Sequence, residues 1–299
     1  MVFAAGVFLA ALAYVSSVVG VPLEALEERA TTTLSASTVS TYKPYTYYAS
    51  TAYCKPANTL AWNCGTNCNK NSVFKPIASG GDGVVTQFWY VGYDSTLKSV
   101  IVAFQGTDAS KIIPALTDAD FFLDELDTNL FPGVSSTIKT HNGFGEAQRR
   151  SASAVLAAVN KGFSTYGVTK VTVVGHSLGG AIAIISSAHL KKSIPTATVK
   201  TITYGAPRVG NAAFANFANG LSDMVRINNK KDIVPIVPGR FLGFAHTEGE
   251  VHISSSSAWI SCPGQDSTDA GCTIDTVPNI LVGSTADHSG PYDGVTMGC

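Results

Sequence analysis

A serine sits between small residues in Gly175-His176-Ser177-Leu178-Gly179, which fits G-x-S-x-G. At that spacing a side-chain hydroxyl can be presented to attack a carbonyl carbon. The geometry explains the spacing. A serine at the apex of a tight strand-to-helix turn occupies strained backbone, so the residues two before and two after must be small for strand and helix to approach. The hydroxyl then stands beside a helix N-terminus, where amide N–H groups and the helix dipole favour incoming negative charge. The flanks supply that context. Lys170 to Val174 is Val and Thr at four of its five positions and reads as a buried strand. Ala181 to Leu190 reads as a helix buried on most sides, with a third glycine at Gly180 before it. The plain alternative is a tight turn whose serine merely caps the helix.

An alcohol is a weak nucleophile at neutral pH, so it needs a base, and the base needs a carboxylate to orient it. On a sheet of this kind the order is Ser, acid, His, with the acid just past a later strand. Asp232 follows the predicted strand Met224–Ile227 and is the candidate acid, its plain reading being a turn-forming aspartate. Asp223 lies at the wrong end of that strand, and Asp266 and Asp269 fall in a cysteine-bounded loop. Of the histidines that follow, His246 and His252 lie in a predicted final hairpin over Phe241–Ile253, where a satisfied core histidine is the expectation. His288, in the late loop Ala286–Pro291, can reach over the sheet edge and is the candidate base. The developing oxyanion needs donors. The Leu178 N–H is one, and Gly106-Thr107, directly after a predicted central strand, is the natural supplier of the other; simple turn chemistry is the alternative for Thr107.

The elements that must position these groups follow from periodicity. Ser37 to Ala61 reads as a helix packed across the sheet. Val84–Tyr93 and Lys98–Gln105 are β-branched and aromatic around a short polar turn, the pattern of a hairpin. Gly145 to Phe163 carries apolar residues at three- and four-residue spacing and predicts a long helix. Val199–Tyr204 is a further strand, and Asn211–Ala218 a short helix. Strands alternating with helices argue an α/β fold with a mostly parallel sheet and helices on both faces, made mixed by the leading hairpin. Asp108–Leu116 places Ile112, Ile113 and Leu116 in a segment otherwise reading as a loop. An apolar segment of that kind would fold over an apolar groove in water and turn outward at a lipid surface, unless its residues are fixed core.

The chain has 299 residues, 45% hydrophobic and 14% charged, with formal net charge -1. That is enough for one large domain, and it supplies no field to attract nucleic acid. Residues 1–20 carry no charged side chain, and Val7–Val19 is mostly apolar. They read as a secretory signal peptide, too short for the ~20 residues of a membrane span. Residues 21–36 read as a propeptide or flexible arm, leaving 37–299 as the folded domain and about 108–118 as its lid. Six cysteines suit a secreted, extracellular protein. Spacing suggests Cys64 with Cys68 and Cys262 with Cys272, leaving Cys54 for Cys299, although fifteen pairings are possible. No paired C-x-x-C or H-x-x-x-H spacing points to a metal. A monomer without cofactors or a transmembrane anchor is the expectation.

Taken together, Ala103-Phe-Gln-Gly-Thr107, His141-Asn-Gly-Phe144, Gly175–Gly180, Tyr204-Gly-Ala-Pro-Arg-Val-Gly-Asn211, Lys231-Asp-Ile-Val-Pro235 and Asp287-His288 resemble the fungal class 3 lipases, α/β-hydrolases. The resemblance runs from about residue 84 to 290. It implies Ser177, Asp232 and His288 as a catalytic triad and Thr107 and Leu178 as oxyanion donors. It also implies a mobile lid after Thr107 that meets the lipid–water interface, and an N-terminal cysteine joined to the C-terminus. Gln105 stands where many members have Arg, a pattern similar to the mono- and diacylglycerol lipase subgroup. The function implied is hydrolysis of mono-, di- or triacylglycerol esters. A feruloyl or general carboxylesterase on the same scaffold, or an inactive lipid- or glycan-binding relative, are the alternatives.

Overall fold

Val and Ile alternate faces along the central strands, and each face is covered by its own helices. The computed structural model describes residues 1–2, 30–107 and 122–299. Most of the expected signal segment and arm, and the whole expected lid with Ile112, Ile113 and Leu116, lie outside these residues. In chain order the described strands are β1 (Thr32–Thr33), β2 (Phe74–Gly80), β3 (Trp89–Asp94), β4 (Ser99–Phe104), β5 (Leu123–Glu125) and β6 (Lys139–His141). They continue with β7 (Lys170–His176), β8 (Thr198–Tyr204), β9 (Gly210–Asn211), β10 (Asp223–Asn229), β11 (Phe244–Ala245), β12 (Glu250–Ile253) and β13 (Trp259–Cys262). The helices that matter most are α1 (Ala36–Ser40), α2 (Lys43–Thr51), α3 (Pro56–Ala61), α4 (Thr66–Lys70), α5 (Asn142–Tyr166), α6 (Leu178–Ser193) and α7 (Ala212–Asn219).

Nine strands form one sheet in the order β1-β13-β12-β10-β8-β7-β4-β3-β2. The five from β4 to β12 are parallel, and antiparallel strands close both edges. Four short strands, β11-β9-β6-β5, make a second, antiparallel sheet. Ile101 and Ala103 point to the face covered by Tyr45, Tyr48 and Ala49 of α2. Val100, Val102 and Phe104 point the other way, to Val155 and Val159 of α5 and Ile182 of α6. Each such aliphatic side chain withdrawn from water contributes about 1.5–3 kcal/mol. A third cluster joins Ile184 and Ile185 of α6 to Phe214 and Ala218 of α7 and to Leu126 and Phe131. Helix α6 is buried from Gly179 to Leu190, in keeping with the expectation of a helix buried on most sides. This is an α/β-hydrolase arrangement, with the carboxyl ends of the parallel strands gathered at one edge, where such sheets carry their sites.

Several local expectations change. The stretch 37–61 is not one helix but α1, α2 and α3, because Pro44 and Pro56 each sit in a helix's first turn and begin a new segment. The final hairpin over 241–253 does not form. Phe244–Ala245 joins the second sheet, while β12 runs parallel to β10 inside the main sheet. Gly249, at φ +83°, makes the break between them and accepts from Arg226 N at 2.8 Å. Strands β2 and β13 escape the sequence pattern, β2 because Pro76 at its bulge disguises an edge strand. Thr32 and Thr33, at the end of the expected arm, pair with Ser261 and Ile260 and so belong to the sheet. Among the described residues, no helix is long and apolar enough to cross a membrane.

Three disulfides join Cys54 to Cys299, Cys64 to Cys68 and Cys262 to Cys272. The first closes a loop of 245 residues. On the chain-entropy account, a loop that long removes about 5 kcal/mol of freedom from the unfolded chain. The double variant Cys54→Ser/Cys299→Ser is therefore expected to lose that order of stability, read from its urea unfolding midpoint. The analogous loss for Cys64→Ser/Cys68→Ser should be much smaller.

Candidate active site

Strand β7 ends at His176, and the chain turns so sharply that Ser177 takes φ 58°, ψ -130° before α6 begins at Leu178. A non-glycine residue held there is strained by about 1–3 kcal/mol, and its neighbours show why the turn persists. A Cβ on Gly175 would fall on the Gly179 carbonyl, and one on Gly179 would fall on the Phe104 carbonyl. A Cβ on Gly180 would come within 2.8 Å of Ala206 Cβ. Ser177 N–H donates to Tyr204 O at 2.9 Å and ties the apex to the next strand. Leu178 is the first residue of α6, so its N–H has no acceptor within the helix. Gly106 packs against Ser177, where an added Cβ would lie 2.9 Å from Ser177 Cβ, and Thr107 follows it at the rim, half-buried.

Asp232 lies just beyond β10, buried, and His288 comes to it from the late loop. His288 Nδ1 donates to Asp232 Oδ2 at 2.8 Å, while Asp232 Oδ1 accepts from Val234 N at 2.9 Å. Burial pushes the Asp232 carboxyl upward, and the facing imidazole with these hydrogen bonds opposes the rise. The two loops are laced together by Ser284 N to Lys231 O at 2.6 Å. His288 Nε2 is buried and makes no hydrogen bond among the described residues. The structure thus joins Asp232 to His288. It places no hydrogen bond between His288 and the Ser177 hydroxyl, a contact that in enzymes without substrate is often long.

A second layer holds His288 from behind. Its carbonyl accepts from His176 Nε2 at 2.8 Å and from Tyr292 Oη at 2.9 Å. Because that carbonyl can only accept, His176 carries its proton on Nε2, and its Nδ1 accepts from Tyr53 Oη at 2.6 Å. The two imidazoles lie 4.4 Å apart between ring centres. Burial, reinforced by the nearby His288, holds His176 neutral, well below the ordinary histidine range. Gly205 makes room for the cluster: at φ +53°, its Cβ would stand 2.7 Å from Asp232 Oδ2 and 3.0 Å from His288 Nδ1. Gly205→Ala is accordingly expected to displace that pair and lower kcat by tenfold or more, KM changing little. Tyr53, Gly205 and Tyr292 carried no sequence signal beyond their place in or near motifs.

The rival groups are occupied elsewhere. His246 Nε2 lies 2.6 Å from Pro235 O, and His252 Nε2 lies 2.8 Å from Lys230 O. Asp223 pairs with Lys200, and Asp266 with Arg208. Asp287 accepts from Lys231 N at 3.3 Å, supporting the loop. His141 caps α5 by accepting from Gly143 N, and His189 packs near Phe131. Glu250, Cys262 and Cys272 lie close enough together to suggest a metal site, but the two sulfurs are bonded to each other.

Burial also lowers His246 well below its ordinary value and His141 to about 4. A histidine depressed in the folded state is protonated first in the unfolded chain, so its contribution is complete above about pH 6.5 and lost as pH falls below that. Stability in urea is expected to drop between pH 7 and 5, by up to about 1.4 kcal/mol per pH unit for each fully buried neutral histidine. A flat profile across that window would contradict the neutral assignment of His176 and His246.

Beside the Asp232 loop lies a cavity of about 690 Å³, lined by Ile233, Ile236, Phe241, Val277, Ile280 and Leu281 among others. Phe241 and Leu281 stand about nine-tenths exposed at its mouth. Gln105, just after β4, binds Phe88 through both groups, its N–H donating to Phe88 O at 2.8 Å and its Oε1 accepting from Phe88 N at 3.0 Å.

The class 3 lipase family model matches residues 101–242. The secreted mono- and diacylglycerol lipase LIP2 of Malassezia restricta is 31% identical over 206 residues, covering 67% of this chain and 63% of that protein. The alignment thus spans less than two-thirds of that relative's own length. The secreted mono- and diacylglycerol lipase MDL3 of Malassezia globosa is 32% identical over 216 residues, covering 71% of this chain and 69% of that one. Among solved structures, the Rhizomucor miehei triacylglyceride lipase superposes with TM-score 0.77 at 26% identity, covering 90% of this chain and 98% of that one.

Proposed function

Because the chain belongs to the class 3 lipase family, we propose that it is a secreted serine hydrolase that cleaves acylglycerol esters through an acyl-enzyme on Ser177. The observation that carries this reading is the orientation of His288, whose Nδ1 donates to Asp232, whose Nε2 makes no hydrogen bond among the described residues, and whose ring lies 4.4 Å from that of His176, the residue before Ser177. Ser177 Oγ attacks the ester carbonyl as its proton passes to His288 Nε2. Asp232 keeps the imidazole's other proton on Nδ1 and stabilises the imidazolium. The N–H of Leu178, with a donor from Thr107, takes the oxyanion. The imidazolium returns the proton to the leaving glyceride oxygen, and His288 then draws a proton from the water that releases the fatty acid.

Acylglycerols are favoured as substrate by the apolar cavity beside Asp232 and by the mono- and diacylglycerol lipases among the relatives. Export is supported by those relatives, which are secreted lipases, and by the apolar, charge-free stretch over residues 1–20. The test is hydrolysis of a panel of mono-, di- and triglycerides, feruloyl esters and aryl esters, with Ser177→Ala beside the wild type. Glycerides cleaved in preference support the reading. Preference for feruloyl esters, or equal activity in Ser177→Ala, contradicts it.

A further inference from the structure

We propose that Arg208, with His246 and Asp266, is a positioning residue for the reaction: it clasps the segment after Asp232 and thereby sets the carboxylate against His288. The inference rests on the hydrolase reading of the same site. Four successive carbonyls of that segment are each met by a donor from one of two buried side chains or their backbone. Pro235 O accepts from His246 Nε2 at 2.6 Å, and Ile236 O accepts from Arg208 Nη1. Val237 O accepts from Arg208 N at 2.9 Å, and Pro238 O from Arg208 Nη1 at 2.9 Å. Asp266 joins the two clasping residues, its Oδ1 accepting from Arg208 Nε at 2.8 Å and its Oδ2 from His246 N at 2.9 Å.

Segment 235–238 holds two prolines, which have no N–H, so it cannot enter a ladder and its carbonyls need donors from elsewhere. Arg208 supplies them from a buried position, 2% exposed. Stability alone gives little reason for a guanidinium there, because apolar residues of similar volume commonly serve as well as a buried ion pair. Aim gives a reason. A planar fork bridges an acid and two carbonyls at once, which a flexible ammonium cannot do. The clasp bears on the site through a short path: Val234, just before the clasped carbonyls, donates its N–H to Asp232 Oδ1, and Asp232 Oδ2 receives His288 Nδ1. Displacement of that path by about 1 Å is enough to cost about a hundredfold in rate.

The test compares the full-length wild type with Arg208→Lys, reading kcat and KM on a dissolved short-chain ester together with the rate of inactivation by an organophosphate ester. Tyr48→Phe, which loses a buried hydrogen bond to Asp94 elsewhere in the molecule, serves as a control for general destabilisation. Arg208→Lys keeps a cation for Asp266 but loses the fork. Its kcat and its inactivation rate are expected to fall together by about ten- to a hundredfold, with KM within about threefold, while Tyr48→Phe keeps its kcat. An Arg208→Lys protein with wild-type kcat, or with its loss confined to KM, overturns the proposal. Should Arg208→Lys fail to fold, His246→Phe removes only the Pro235 clasp. A severalfold fall in its kcat supports the proposal, and an unchanged kcat overturns it. A wild type that does not cleave the ester at all would instead overturn the hydrolase reading beneath it.

Discussion

Ser177→Ala is expected to lower kcat for ester hydrolysis by about 10⁴–10⁶-fold while leaving a folded protein. The size follows from the way triad members act as a unit, since removing the nucleophile forfeits the base and the orienting acid together. The fold should survive because the elbow is held by backbone: Ser177 N–H on Tyr204 O, and the Ser177 carbonyl receiving the N–H groups of Gly180 and Ala181. Alanine keeps a Cβ at φ 58° and with it the strain. Ser177→Gly removes both hydroxyl and strain, so it should be equally inactive yet more stable than wild type. Thermal melting beside kinetics separates the two effects. An active Ser177→Ala enzyme would remove the proposed mechanism.

Asp232→Asn should come next, with kcat reduced by about 10⁴-fold at nearly unchanged KM. The substitution is almost isosteric, and Oδ1 can still accept from Val234 N. What changes is the partner offered to His288. An amide nitrogen facing Nδ1 would demand an acceptor there, moving the ring proton to Nε2, where it blocks receipt of the serine proton. The variant should therefore bind substrate normally and react slowly. A fall of less than about tenfold would mean that Asp232 only shapes the loop.

The central sheet was legible because its cause is local. Val171, Val173 and Val174 divide between two covered faces, and Gly175 and Gly179 announce a close approach at which an added Cβ would fall on a neighbouring carbonyl. Asp232 and His288 could be chosen by position, since the acid must follow a strand and the base must come from a loop. The edges were not legible. β2 carries a proline at a bulge, and β12 looks like half of a hairpin until Gly249 turns it into the parallel sheet. The supporting layer was silent for another reason. Tyr53, Tyr292 and Arg208 act through pairings 123, 4 and 58 residues away in sequence, with His176, His288 and Asp266, and no spacing rule reaches across the long separations. Tyr292 is near its partner, but nothing in a Pro-Tyr pair distinguishes a buried hydroxyl from a surface one.

The proposed action of Asp232 and His288 on the Ser177 hydroxyl is tested most directly by stoichiometric labelling with an organophosphate ester, followed by peptide mapping, in wild type and His288→Ala. One equivalent on Ser177 in the wild type, with labelling in His288→Ala slowed by several orders of magnitude, is the predicted result. Label on any other residue, or His288→Ala labelled at the wild-type rate, would contradict it.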